Sequence, residues 1–181
     1  MGRPKNFNRD EVLEKAMPLF WKRGFADTGL QDIERATGVN KSGLYSEFKN
    51  KEDLFLATLL HYVKTNMGRE ILSAQPSGWK NVENFFDYAL SNEDGCFAVN
   101  SMRELALLPS EAQSIMTEAR TLLKRMLAKN ISAEKTEMSP EVLAAILLTF
   151  FSGISIEQNL KTGKSLSAQK FKEFIRLIRD M

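Results

Sequence analysis

The stretch from Gly24 to Phe55, GFADTGLQDIERATGVNKSGLYSEFKNKEDLF, constrains the fold more than any other part of the chain. Leu30 to Thr37 has the spacing of a short helix. Gly38 follows where a tight interhelical turn needs a backbone without a side chain. Asn40 is a good N-cap for a second helix from Lys41 to about Phe48. Ile33, Ala36, Val39, Leu44 and Phe48 form the apolar set that holds two such helices across each other. Lys41, Ser42, Gly43, Tyr45 and Ser46 are left as a polar outer face. The pattern is a helix-turn-helix. Amines, hydroxyls and a phenol on its second helix reach base edges and phosphates in a major groove. Periodicity alone leaves a second reading open, because two-helix hairpins also occur in proteins that never touch DNA.

The rest of the chain reads as helical too. Alternating apolar runs and hairpin dipeptides are absent, so the fold class is all-α. A first helix starts at Asn8, with Glu11 completing an Asn-x-x-Glu capping box. Val12, Leu13, Ala16, Leu19 and Phe20 are its buried stripe, and Pro18 should kink it. Lys51 to about Leu72 reads as a long connector helix, capped by Asn50. Gln75-Pro76-Ser77-Gly78 breaks the chain. Helices then follow at about 79–90, 96–107, 111–130, 140–162 and 168–179, with Lys161-Thr162-Gly163-Lys164 as one helix end. The division is residues 1–50 as the helix-turn-helix unit (29–48 the motif itself), 51–72 as connector, and 73–181 as the body.

Charge supports this division weakly. The net charge is only +2, yet residues 1–66 hold 11 Lys and Arg against 9 Asp and Glu, while the remainder holds 14 against 14. Phosphate attraction needs local rather than global charge. One cysteine excludes an internal disulfide and fits a reducing cytoplasm, and no signal peptide is evident. The apolar stretch from Val142 to Ile156 is interrupted by Thr149, Ser152, Gly153 and Ser155, too short and mixed for a bilayer span.

Catalytic chemistry finds little support. His61 and Cys96 are single, no cluster has metal-ligand spacing, and no glycine-rich phosphate loop is present. No catalytic residue, cofactor or metal is expected. A thiol at a helix start is lowered in pKa, so Cys96 as a sensor or an enzymatic nucleophile stands beside the plainer reading of a small buried hydrophobe. Phe85, Tyr88, Cys96, Phe97, Met102, Met116 and Phe150 fit either the lining of an apolar ligand cavity or a packed bundle core. Asn100 and Glu104 are candidate polar groups for such a cavity.

The helix-turn-helix lies after a helix ending Leu19-Phe20-Trp21-Lys22-Arg23-Gly24-Phe25 and before Lys51-Glu52-Asp53-Leu54. With Gly38-Val39, Leu44-Tyr45 and Phe48, this order resembles the N-terminal domain of the TetR family of bacterial transcriptional regulators. The resemblance covers about the first third of the chain. Gly2-Arg3-Pro4-Lys5 is similar to a basic arm of one branch, and Gly95-Cys96-Phe97-Ala98-Val99-Asn100 to the start of a ligand-domain helix. The resemblance implies a cytoplasmic repressor of (pseudo)palindromic operator DNA, released by a small-molecule effector, with no membrane role. Arg3, Lys5, Thr28, Gln31, Lys41, Ser42, Gly43, Tyr45, Ser46 and Lys51 are the expected DNA contacts. It also implies a homodimer through the last two helices, with Leu143, Leu147, Phe151, Ile154, Phe171, Phe174 and Ile178 at the interface. Gly43 and Glu47 depart from the commoner pattern of the recognition helix. An effector-free architectural or adaptor DNA-binding protein, and an enzyme using Cys96, are the competing readings.

Overall fold

The computed structural model describes residues 7–160 and 164–179. Regular structure among them is helical: α1 (Arg9–Arg23), α2 (Leu30–Thr37), α3 (Lys41–Glu47), α4 (Lys51–Thr65), α5 (Gly68–Ser73), α6 (Trp79–Ser91), α7 (Phe97–Ser101), a 3-10 segment (Met102–Leu107), α8 (Ser110–Ile131), α9 (Pro140–Gln158) and α10 (Lys164–Arg179). The chain is all-α, as expected. It divides into two compact units. One takes the residues up to Thr65 together with Asn100–Met116; the other takes Asn66–Val99 and the residues from Thr117 on.

In the first unit α1 packs against α2 and α4. Asn8 caps α1 by accepting the Asp10 N–H at 2.8 Å. The cap therefore closes on the second helical position, not the third that a capping box uses. Helix α1 runs unbroken through Pro18, which lies on its exposed side. Val12, Leu13, Ala16 and Phe20 are buried, and Leu19 only half so. Phe20 and Phe25 both meet Phe55 of α4 edge-on, with ring centroids 5.3 Å apart in each case. Burying each ring contributes about 2–3 kcal/mol.

Two sequence expectations change in this unit. Ala36 is exposed and Val39 half-buried, so of the five only Ile33, Leu44 and Phe48 are fully buried. The expected helix from Lys51 to Leu72 is two helices. Thr65 Oγ donates back to the His61 carbonyl at 2.9 Å, and Asn66 Oδ1 takes the Gly68 N–H at 2.8 Å. The Asn66 bond turns the chain locally where α4 ends at Thr65, beside the poor helix formers Thr65, Asn66 and Gly68.

In the second unit α6, α9 and α10 pack together. Their core includes Trp79, Phe85, Phe86, Leu143, Leu147, Phe171, Ile175 and Ile178. Phe86 stacks on Phe171 with centroids 4.1 Å apart. Ser139 caps α9 and Pro140 fills its first position, where a missing N–H costs nothing. At 19 residues α9 is, by length and composition, apolar enough to cross a membrane, against the shorter sequence reading. Its Leu143, Ala144, Leu147 and Leu148 are spent on the core of this unit. The single helix expected over 96–107 is α7 followed by the 3-10 segment, with Glu104 at φ −110° and ψ 17° breaking the helical run. The helix end read at 161–164 falls largely outside the described residues.

Candidate nucleic-acid interface

Helix α3 is set by its two ends. Gly38 adopts φ +74° after α2, a left-handed conformation that a side chain would strain. Asn40 Oδ1 then accepts the Gly43 N–H at 2.8 Å and starts α3. The Glu34 carboxylate accepts the Lys41 N–H, tying α2 to the first turn of α3. Leu44 and Phe48 are buried on the inner side. Lys41, Ser42, Tyr45 and Ser46 are exposed on the outer side. These four expected contacts therefore share one solvent-facing surface. Lys41 Nζ lies 5.8 Å from the centre of the Tyr45 ring.

Gly43 has a packing role on this helix. A Cβ there would come within 2.7 Å of Val39 Cγ1 and 3.3 Å of Asn40 Oδ1, so the glycine lets the cap close. Ser46 Oγ donates to the Gly43 carbonyl at 2.7 Å, leaving its oxygen to accept rather than donate. Glu47 is offset by Arg9, whose guanidinium donates to it at 2.7 Å and also lies 4.6 Å over the Phe48 ring. The negative charge that the sequence places beside the recognition helix is thus paired with a cation from α1. Gln31 is exposed on the first turn of α2.

Two expected phosphate contacts are corrected. Thr28 is 0% exposed and donates its hydroxyl to the Gly24 carbonyl at 2.6 Å, so its side chain faces the interior. Lys51 is half-buried, and its ammonium donates to the Phe25 carbonyl at 2.9 Å and the Thr28 carbonyl at 3.2 Å. It also lies 4.3 Å from the centre of the Phe25 ring. Its work is to hold the turn between α1 and α2. Lys51→Ala is therefore expected to lower stability by about 1–3 kcal/mol, as two charge-assisted bonds are lost. Lys51→Arg tests the alternative. A purely electrostatic phosphate contact keeps its salt dependence in the arginine variant, whereas the turn, fitted to an ammonium, is loosened in urea unfolding. Arg3 and Lys5 lie outside the described residues.

The expected cavity residues do not come together in one unit. Asn100, Met102, Glu104 and Met116 belong to the first unit, and Phe85, Tyr88, Cys96, Phe97 and Phe150 to the second. Phe85, Phe97, Asn100 and Met116 are buried, Tyr88, Cys96 and Phe150 half-buried, and Met102 exposed. Glu104 is corrected outright, because its carboxylate accepts the Phe25 and Ala26 N–H groups at 2.6 and 3.0 Å.

The expected interface set is also corrected. Leu143, Leu147, Ile154, Phe171 and Ile178 are buried in the core of their own unit, and Phe151 packs on Phe85 and Phe86. Positions 143, 147, 151 and 154 repeat at helical spacing on the inner side of α9. Of the seven, Phe151 and Phe174 are half-buried, and Phe174 is stacked on Phe150 with centroids 4.0 Å apart. Beside them an open groove of about 580 Å³ is lined by Ala145, Ile146, Thr149, Phe150, Phe174 and neighbours. Val142, Ile156, Leu160 and Leu177 are exposed apolar side chains of the same helices and their end. Sequence reading counted the apolar residues of α9 correctly but could not tell its two apolar sides apart.

A capped seven-residue helix with a polar outer side, held across an eight-residue partner by a left-handed glycine, is the reading head of a helix-turn-helix protein. The family model for bacterial regulatory proteins of the tetR family matches residues 12–58. The HTH-type transcriptional repressor ComR of Escherichia coli (strain K12) is 30% identical over 181 aligned positions, which cover 91% of this chain and 85% of that protein. The crystal structure of reduced E. coli NemR superposes with a TM-score of 0.83 at 18% identity, over 94% of this chain and 96% of that one. A cysteine-substituted CifR with 26-base-pair operator DNA superposes with a TM-score of 0.80 at 22% identity, over 96% and 98%. The chain belongs to the TetR family of bacterial regulatory proteins, and is a helix-turn-helix transcriptional regulator rather than an enzyme.

Proposed function

We propose that this regulator represses transcription by binding a pseudopalindromic operator as a homodimer, and that a small effector releases it. One observation carries the DNA half of this reading. Lys41, Ser42, Tyr45 and Ser46 share the solvent side of α3 while Leu44 and Phe48 anchor the other. That ComR is a repressor, and that a cysteine-substituted CifR is seen complexed with operator DNA, support the same reading. Lys41 heads the helix and reads base edges; Tyr45, one turn on, and Gln31 reach phosphates. Arg3 and Lys5 supply a minor-groove arm.

The dimer reading rests on the uncovered apolar side of α9 and α10. Val142, Ile146, Phe150, Phe174 and Leu177 replace the buried set first expected there. A two-fold axis across this face places each helix near its symmetry mate. Two recognition helices then meet successive half-sites about 34–36 Å apart. The effector acts by its differential affinity for two arrangements of the protein. Residues 1–50 serve as the DNA-reading part and the later helices as the effector and dimer part, in a cytoplasmic protein.

Selection of genomic fragments by the purified protein, repeated with candidate metabolites, tests the whole reading. Failure to enrich any sequence sinks it. On the selected site, Lys41→Ala is expected to lose about 1–3 kcal/mol and to relax preference at one base position. Unchanged affinity and preference would remove Lys41 from base reading.

A further inference from the structure

The turn between α1 and α2 is gripped from both sides by groups distant in sequence. Gly24 turns the chain at φ +86°, and the Phe25 and Ala26 N–H groups point to the Glu104 carboxylate at 2.6 and 3.0 Å. On the opposite side Lys51 takes the Phe25 and Thr28 carbonyls. A Cβ at Gly24 would collide with the Glu104 carboxylate, so the glycine makes room for it. Within the turn, Thr28 Oγ donates to the Gly24 carbonyl at 2.6 Å and the Phe25 ring packs on Phe55. Gly29, the N-cap of α2, has no side chain to offer, and the start of α2 depends on where this turn delivers it.

Glu104 lies on the 3-10 segment, 79 residues from the backbone it holds. That segment belongs to the first unit, yet the chain on either side of Asn100–Met116 belongs to the second. From this we infer that Glu104 is a positioning residue for operator recognition. It is a latch that fixes the α1–α2 turn, and so the attitude of α2 and α3, from a segment continuous with the rest of the protein. A displacement of Asn100–Met116 withdraws the carboxylate and frees the turn, with no change in the DNA-reading side chains. The inference rests on the DNA-binding reading above.

The test compares Glu104→Gln with Glu111→Gln, an exposed charge control on the same segment. The amide keeps one acceptor oxygen but sets an NH2 group against two N–H donors. Glu104→Gln is expected to bind the selected operator about ten-fold more weakly, the scale of one weakened charge-assisted contact. Binding to random DNA should match that of Glu111→Gln. Hydrogen exchange at the Phe25 and Ala26 amides, read by NMR without DNA, should accelerate in Glu104→Gln only. Glu104→Asp keeps the charge one methylene short, gives an intermediate loss, and serves if the glutamine variant does not fold. Unchanged exchange at both amides overturns the latch. So does a proportional fall in specific and random binding, which signals a smaller folded fraction. If the unaltered protein selects no DNA, the functional reading falls, while the exchange measurement still decides the latch.

Discussion

Val142→Glu combined with Leu177→Glu is expected to give a folded monomer that no longer holds operator DNA. The two side chains are 48% and 65% exposed in the single chain, so glutamate there costs the protomer little. In the proposed dimer both lie on the covered face, on α9 and α10. The two-fold axis brings in four carboxylates per interface. Burying an unpaired charge costs several kcal/mol, more than most interfaces can spare. Loss of one recognition helix from the complex should weaken operator binding by about 100-fold or more, since the second half-site contact is no longer tethered to the first. Sedimentation velocity at low micromolar concentration reads the oligomer, and circular dichroism confirms the helices. A dimer with full operator affinity in this variant removes the face from the interface. A monomer in the unaltered protein sinks the paired-helix mechanism itself.

The helix-turn-helix was legible almost to the residue because its signals are local. Gly38, Asn40 and the spacing of Ile33, Leu44 and Phe48 each act within one turn of chain, and α2 and α3 form where those signals put them. What escaped the sequence depends on contacts between distant segments. Nothing in Lys51 itself says that its ammonium will be taken by carbonyls 23 and 26 residues earlier. Glu104 read as a cavity group for the same reason, since its partners lie 78 and 79 residues away. The break at Asn66 is an exception, because its signal is local: Thr65, Asn66 and Gly68 are poor helix formers, and the Asn66 side chain takes the Gly68 N–H. Helix α9 failed differently. Its apolar residues nearly encircle it, so periodicity cannot choose the inner side. The choice is made by Phe86, Phe171 and the other side chains it meets.

Asn130 carries no signal in the sequence beyond its place at a helix end, and it should be among the most costly residues to replace. Its side chain is 0% exposed and uses its whole hydrogen-bonding capacity. Oδ1 accepts from the Gly78 N–H at 3.1 Å and from Asn81 Nδ2 at 2.9 Å. Nδ2 donates to the Leu72 carbonyl at 2.8 Å and the Met126 carbonyl at 2.9 Å. One amide thus joins the end of α5, the start of α6 and α8. Gly78 is the N-cap of α6, and Asn130 accepts its N–H, one of the backbone donors that the helix start leaves open. Asn130→Leu keeps the volume and removes all four bonds, leaving the Gly78 N–H and the Leu72 carbonyl buried without partners. The expected loss is about 3–5 kcal/mol, from two or more orphaned groups at about 1–3 kcal/mol each. The two tryptophans make the loss measurable where it occurs, because Trp21 lies in the first unit and Trp79, next to Gly78, in the second. In a Trp21→Phe background, urea unfolding followed by Trp79 fluorescence should show the midpoint of Asn130→Leu falling steeply with little change in slope. A loss below about 1 kcal/mol would mean that water reaches these groups once the amide is gone, and that the network does not hold α5, α6 and α8 together.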